Sequence, residues 1–206
     1  MKNLLFFFLL GLALISCNRD PLIYTIKGTI HDLSLNTNVD DGEISIYKFK
    51  PGASATFIEA MNVSNGNFSF EIEREAVDRY ELHYESKRYF NKLINIPLSE
   101  LVVKEPNIYN LETSARSYVT LQIKNENNPN ESDELKILKS SGKMDCEGCC
   151  PNSYFFFNGI VEEDFTCSND GNSYFTFHYW INNNEFYKLD SVLTVPFDTV
   201  YYQISY

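Results

Sequence analysis

Residues 63–73 read Val63-Ser64-Asn65-Gly66-Asn67-Phe68-Ser69-Phe70-Glu71-Ile72-Glu73. Asn-Gly supplies the positive φ of a tight hairpin turn, so Asn65-Gly66 is a hairpin signal. After it Phe68, Phe70 and Ile72 alternate with Asn67, Ser69, Glu71 and Glu73. A period of two sets one side of a strand against a core and leaves the other wet. Tyr80, Leu82 and Tyr84 alternate in the same way with Glu81, His83 and Glu85, and Val119, Leu121 and Ile123 with Thr120, Gln122 and Lys124. No segment between Pro21 and Pro97 repeats with a helical period.

Working outward, strands are predicted at Ile23 to Ile30 and, after the Asp40-Asp41-Gly42 turn, at Glu43 to Phe49. A second series starts at Tyr118 and continues at Tyr154 to Asn158, Tyr174 to Ile181, Lys188 to Val195 and Thr199 to Tyr206. Aromatic residues make up 15% of the chain, with 16 Phe, 14 Tyr and the single Trp180, which is strand composition. Short strands with turn signals and no interposed helices predict an all-β protein of two antiparallel β-sandwich domains. The first spans residues 22–97 and the second residues 117–206, with residues 98–116 as a linker.

Four stretches of the first half carry a family resemblance: Ile26-Lys27-Gly28-Thr29-Ile30, Asp41 to Ile46, Val63 to Phe70 and Tyr80 to Tyr84. Together they resemble the carboxypeptidase-regulatory-like domain, a transthyretin-like (prealbumin-like) β-sandwich. The chain departs from that pattern at Val63-Ser64, where the family commonly has Thr-Asp, and Pro51 to Thr56 fits only as a loop. The resemblance implies an accessory module without catalysis. The second half reads as an immunoglobulin-like or related sandwich.

At the N-terminus, Lys2 precedes an apolar run from Leu4 to Ile15 that closes on Leu14-Ile15-Ser16-Cys17. As a helix rising ~1.5 Å per residue the run reaches roughly 18 Å, short of a hydrocarbon core of about 30 Å, so it reads as a cleaved signal peptide, residues 1–16. Its end resembles the lipobox of bacterial lipoproteins. That resemblance implies lipidation at Cys17, a tether over residues 17–21, and a location in the bacterial envelope, at the outer membrane, facing the periplasm or cell surface. The implied partners are a membrane, through the lipid, and an envelope protein or glycan.

With 17 basic and 28 acidic side chains the formal charge is −11. No basic stripe interrupts it, which excludes nucleic acid as a partner. Beyond Cys17 there are Cys146, Cys149, Cys150 and Cys167, and export makes two disulfides the expected state. Three pairings are open, of which Cys149 to Cys150 is disfavoured as a strained vicinal bridge. The alternative use of Cys146-Glu147-Gly148-Cys149-Cys150 with Cys167 is a metal or thiol-redox site.

On Tyr174 to Ile181, Phe175, Phe177, Tyr179 and Ile181 form the core side, leaving Tyr174, Thr176, His178 and Trp180 opposite. Tyr174, His178 and Trp180 are candidates for a binding face, because aromatics give contact area at small entropy cost; the competing reading buries both sides between domains. Asn127, Asn130, Glu131 and Asp133 lie in a polar loop whose spacing does not fit a calcium-binding EF-hand. Asp190-Ser191-Val192 and Asp198-Thr199-Val200 are similar to the O-glycosylation motif of exported Bacteroidetes proteins, which marks Ser191 and Thr199. No nucleophile elbow, phosphate loop or metal motif is present. The expectation is therefore a non-catalytic binding or structural module, with no cofactor and no metal.

Overall fold

The computed structural model describes residues 21–126, 129–182 and 186–206. The expected signal peptide and Cys17 lie outside the described residues, as does Asn127 of the polar loop. Described residues up to 113 carry nine strands, β1 (Ile23–Asp32), β2 (Thr37–Asn38), β3 (Glu43–Phe49), β4 (Thr56–Asn62), β5 (Asn67–Glu73), β6 (Arg79–Glu85), β7 (Lys92–Pro97), β8 (Pro106–Ile108) and β9 (Leu111–Thr113). A further seven follow: β10 (Arg116–Lys124), β11 (Glu134–Ser141), β12 (Tyr154–Asn158), β13 (Glu162–Asp170), β14 (Tyr174–Ile181), β15 (Phe186–Leu193) and β16 (Thr199–Ser205).

The first sandwich packs β1, with β2, β5, β8 and β9 beside it, against the sheet β4-β3-β6-β7. The alternating residues supply its core. Tyr24, Ile26, Ile30, Phe68, Phe70 and Ile72 come from one sheet, and Ile44, Ile46, Tyr80, Leu82, Tyr84 and Ile96 from the other, all buried. The second sandwich packs β13-β10-β16 against β12-β11-β14-β15, and Val119, Leu121, Ile123, Phe175, Phe177 and Ile204 fill it.

The sheets are mixed, which corrects the expectation of purely antiparallel sandwiches. β8 and β9 run parallel to β1, and β16 runs parallel to β10. Side-chain alternation has the same period in parallel and antiparallel strands, so the sequence pattern carries no direction.

Asn65 and Gly66 do take positive φ, 51° and 74°. Yet the turn joins strands of different sheets, since β4 pairs with β3 and β5 with β1. Ile30 N–H donates to the Gly66 carbonyl at 2.8 Å and the Asn38 amide to the Asn65 carbonyl at 3.1 Å, which ties the turn to the β1 sheet. The expected hairpin is thus a corner between the two layers.

Much of the expected linker belongs to the first sandwich. Leu98–Glu100 form a short 3-10 turn, and β8 and β9 then return to β1. Buried Asn107 fastens this return by donating to the Thr25 and Val102 carbonyls and accepting from Val102 N–H. Tyr109 N–H donates to the Lys27 carbonyl, and the Tyr109 carbonyl oxygen would lie 1.8 Å from a Cβ at position 28, so only glycine admits the approach.

Where the sandwiches meet, backbone bonds run from Arg116 N–H to the Arg88 carbonyl and from Phe197 N–H to the Arg116 carbonyl. Phe197, held at φ 66°, packs edge-on against Tyr89 at 5.2 Å, and the Arg88 guanidinium lies over its ring at 4.1 Å. A residue of the second sandwich thereby packs against the core of the first.

Candidate binding face and disulfide cluster

The cysteines form two bridges, Cys146–Cys149 and Cys150–Cys167, and the vicinal pairing is not used. The loop between β11 and β12 turns at Gly148, φ 76°, and Ser168 N–H donates to the Gly148 carbonyl at 2.8 Å. Cys150 and Cys167 are buried in the second core. A closed loop of this separation, 17 residues, is worth about 3 kcal/mol in the chain-entropy treatment.

Beneath the loop lies Lys139, 2% exposed. Its ammonium donates to the Cys150 carbonyl at 2.9 Å and to the Lys143 carbonyl, and it sits over the Phe175 ring at 5.8 Å. Burial holds its pKa below the usual lysine value, with Asp145 acting weakly the other way. Because each of the four sulfurs is bonded to another, none is left as a thiolate ligand or nucleophile. Among the described residues no group of three or more His, Cys, Asp or Glu is placed to hold a metal ion.

The outer face of β12-β11-β14-β15 collects the aromatic candidates. Register sets Trp180 opposite Lys136 on one side and Tyr187 on the other; His178 opposes Leu138 and Leu189; Tyr174 opposes Leu193. Tyr154 and Phe156 of β12 face Leu138 and Lys136. The face is open to solvent, with Tyr174, Phe156 and Tyr187 all more than half exposed. The reading in which both sides of β14 are buried between domains is thereby corrected.

Ring contacts join these residues into one surface. Trp180 lies 5.9 Å from Tyr154, 5.8 Å from His178 and 5.5 Å from Tyr187 between centroids, and His178 Nδ1 is 2.8 Å from the Tyr187 hydroxyl. The Lys136 ammonium lies 4.6 Å over Trp180 and 5.2 Å over Tyr154. Among the described residues no carboxylate is within ion-pair distance of it, and its charge is met there by aromatic faces.

Sequence periodicity found Tyr174, His178 and Trp180 but missed Lys136, Tyr154, Phe156 and Tyr187. Tyr154-Phe155-Phe156-Phe157 is aromatic at every position, so no alternation separates its two sides. Tyr187 lay one residue before the expected strand. Lys136 gave no signal, because only register across strands brings it to Trp180.

The remaining candidates are dispersed. Ser191 is exposed on the outer side of β15, while Thr199 is half-buried at the start of β16; Asp190 and Asp198 each accept the backbone N–H of the residue that follows. In the polar loop, Asp133 accepts from the Asn125 and Asn182 amides and from Asn130 N–H. These donors, the Asn125 amide first, hold its carboxyl below the usual aspartate value, which marks a loop-closing contact.

No protein-family model matches the chain, and no curated protein does. Among solved structures it is similar to the shaft pilin SpaA from Lactobacillus rhamnosus GG, at 10% identity and TM-score 0.34, over 89% of this chain and 96% of that one. It is also similar to a streptococcal ancillary pilin, at 9% identity and TM-score 0.38, over 90% and 63%. A third similar structure is GBS52, the minor pilin of the gram-positive pathogen Streptococcus agalactiae, at 7% identity and TM-score 0.36, over 88% and 94%. At this level the likeness does not extend to function.

Those structures are pilins. The expectation of an outer-membrane lipoprotein with a lipid anchor and an envelope-protein or glycan partner is withdrawn: the similar structures are pilins, and Cys17 lies outside the described residues. The all-β sandwich architecture and the disulfides stand.

Proposed function

We propose that this chain is a non-catalytic binding module whose working surface is the outer face of β12-β11-β14-β15, and that it docks an extended polypeptide carrying apolar and acidic side chains. The observation that carries the reading is Lys136, an ammonium set over Trp180 and Tyr154 on an exposed aromatic face and lacking a carboxylate among the described residues. Aromatic rings give a partner contact area with few rotors to freeze, and the ammonium selects a carboxylate above it. Two sandwiches in succession support the finer picture of an accessory module made of a transthyretin-like sandwich followed by an immunoglobulin-like one.

Trp180 is the only tryptophan, so its fluorescence reports this face and no other. Titration with an eight-residue peptide alternating Phe and Glu should change Trp180 emission saturably, and Lys136→Gln should weaken the response about tenfold, the effect of ~1.4 kcal/mol. No response, or an equal response to a Phe and Lys peptide, would overturn the reading.

A further inference from the structure

β15 is an edge strand: it pairs along its length with β14, and among the described residues no strand pairs with its other side. Its register against β14 runs from Phe186 to Leu193 without a bulge, and it contains no proline. Phe186, Tyr187, Leu189 and Leu193 are about half exposed. Edges of this length and regularity are normally blunted by bulges, prolines or free charges, because they template pairing with another chain.

The backbone direction of each residue can be assigned. Thr194 N–H donates to the Ser173 carbonyl and the Thr194 carbonyl accepts from Asn172 N–H, so position 194 faces β14. Alternation then turns Val192, Asp190 and Lys188 toward β14 and leaves Tyr187, Leu189, Ser191 and Leu193 with their N–H and C=O groups at the open edge. Ser191 N–H fits this assignment, since its acceptor is the Asp190 carboxylate of its own chain at 2.8 Å.

We propose that β15 pairs antiparallel with β15 of a second copy of this chain, with Leu189 opposite Leu189 on the two-fold axis. Continuity of the two faces demands that residues of equal parity face each other, which leaves few registers. With Leu189 on the axis, Leu189 makes a doubly hydrogen-bonded pair with its counterpart, and Tyr187 pairs with Ser191. Lys188 then lies opposite Asp190 of the other copy, twice, in the non-hydrogen-bonded pairs where side chains approach most closely. A shift by one residue puts Asp190 on the axis against Asp190, which like charge disfavours.

The same two residues already form an ion pair within the chain, with Lys188 Nζ 2.7 Å from Asp190 Oδ2 and the Tyr202 hydroxyl donating to that carboxylate. Pairing therefore extends an existing charge cluster across the axis, and Ser191 N–H exchanges the Asp190 carboxylate for a Tyr187 carbonyl. Closure by a two-fold axis is isologous and limits the assembly to a dimer with one continuous eight-stranded sheet. The inference concerns the edge of the sheet and stands whether or not the aromatic face docks a peptide.

Sedimentation of the full chain over a concentration series tests it, with Trp180 emission and circular dichroism as checks on the fold. The wild type should show a monomer–dimer equilibrium. Leu189→Pro, which removes an N–H that faces the open edge and has no partner among the described residues of the monomer, should abolish it with the monomer intact. Lys188→Asp should weaken association about tenfold, and Lys188→Asp with Asp190→Lys should restore it. A wild type that stays monomeric, a Leu189→Pro protein that dimerises as well as wild type, or a charge swap no better than Lys188→Asp would each overturn the proposal. Lys136→Gln, which tests the face, should leave the sedimentation unchanged.

Discussion

On the outer face of β4-β3-β6-β7, Glu81 is nearly buried and takes Arg79 at 2.9 Å on one oxygen and His83 at 3.0 Å on the other. Tyr47 packs against His83 at 4.6 Å with the rings tilted by 37°, and the Arg79 guanidinium covers Phe49 at 3.9 Å. On the outer face of β12-β11-β14-β15 the central cation, Lys136, has rings beneath it and, among the described residues, no carboxylate beside it. Both faces are four strands wide and rich in aromatics. The first meets the charges around Glu81 within the sheet, whereas among the described residues the Lys136 charge on the second has no carboxylate partner, and a cation left without one, more than apolar area, distinguishes a docking surface.

The sandwiches differ in a second way. Among the described residues the first is held by side-chain packing, hydrogen bonds and ion pairs, whereas the second adds two disulfides. Cys150→Ala with Cys167→Ala should therefore cost about 3 kcal/mol, read as a lower urea midpoint of the Trp180 signal. An unchanged midpoint would mean that the second core needs no staple.

The contrast between the faces is tested by a matched pair of substitutions. Glu81→Gln should destabilise by about 1–3 kcal/mol, because it leaves Arg79 and His83 around a neutral amide in a nearly buried position. Lys136→Gln should shift stability by no more than about 0.5 kcal/mol, as expected for a surface charge without an ionic partner. Equal effects in thermal denaturation would erase the distinction.

A pH series sharpens it further. Burial pushes the Glu81 carboxyl up, but the hydrogen bonds from His83 and Arg79 outweigh it and the net shift is below the usual 4.5. A carboxyl with a lowered folded pKa contributes stability above its unfolded value and loses it as pH falls through the folded one. Acid should thus weaken the wild type below about pH 4.5 more than Glu81→Gln. For Lys139 the sign is opposite. Its folded pKa is depressed, so the unfolded chain binds the proton more readily, and stability should rise as pH climbs toward the usual lysine value of 10.5. Lys139→Met should remove that rise, the smallest of these effects.

The sequence made the central strands readable because Phe68, Phe70 and Ile72, or Phe175, Phe177 and Tyr179, are flanked by polar neighbours on a two-residue period. Edge and returning strands were hidden. Thr56–Asn62 is exposed or half-exposed throughout, and β8 and β9 are three residues each, held by Asn107 and backbone contacts that no periodicity records. The Asn65-Gly66 turn was legible as a conformation but not as a change of sheet, since that depends on which strand each arm meets. Disulfide pairing was equally beyond local pattern. Of the aromatic face, β14 showed its share and the neighbouring strands did not.

The most direct test of the docking face is to map, by backbone and indole NMR shifts, where the alternating Phe and Glu peptide binds. The shifts should cluster on Lys136, Tyr154, Phe156, His178, Trp180 and Tyr187. Shifts centred on Arg79, Glu81 and His83 instead, or scattered over both sandwiches, would contradict the assignment of the working surface to β12-β11-β14-β15.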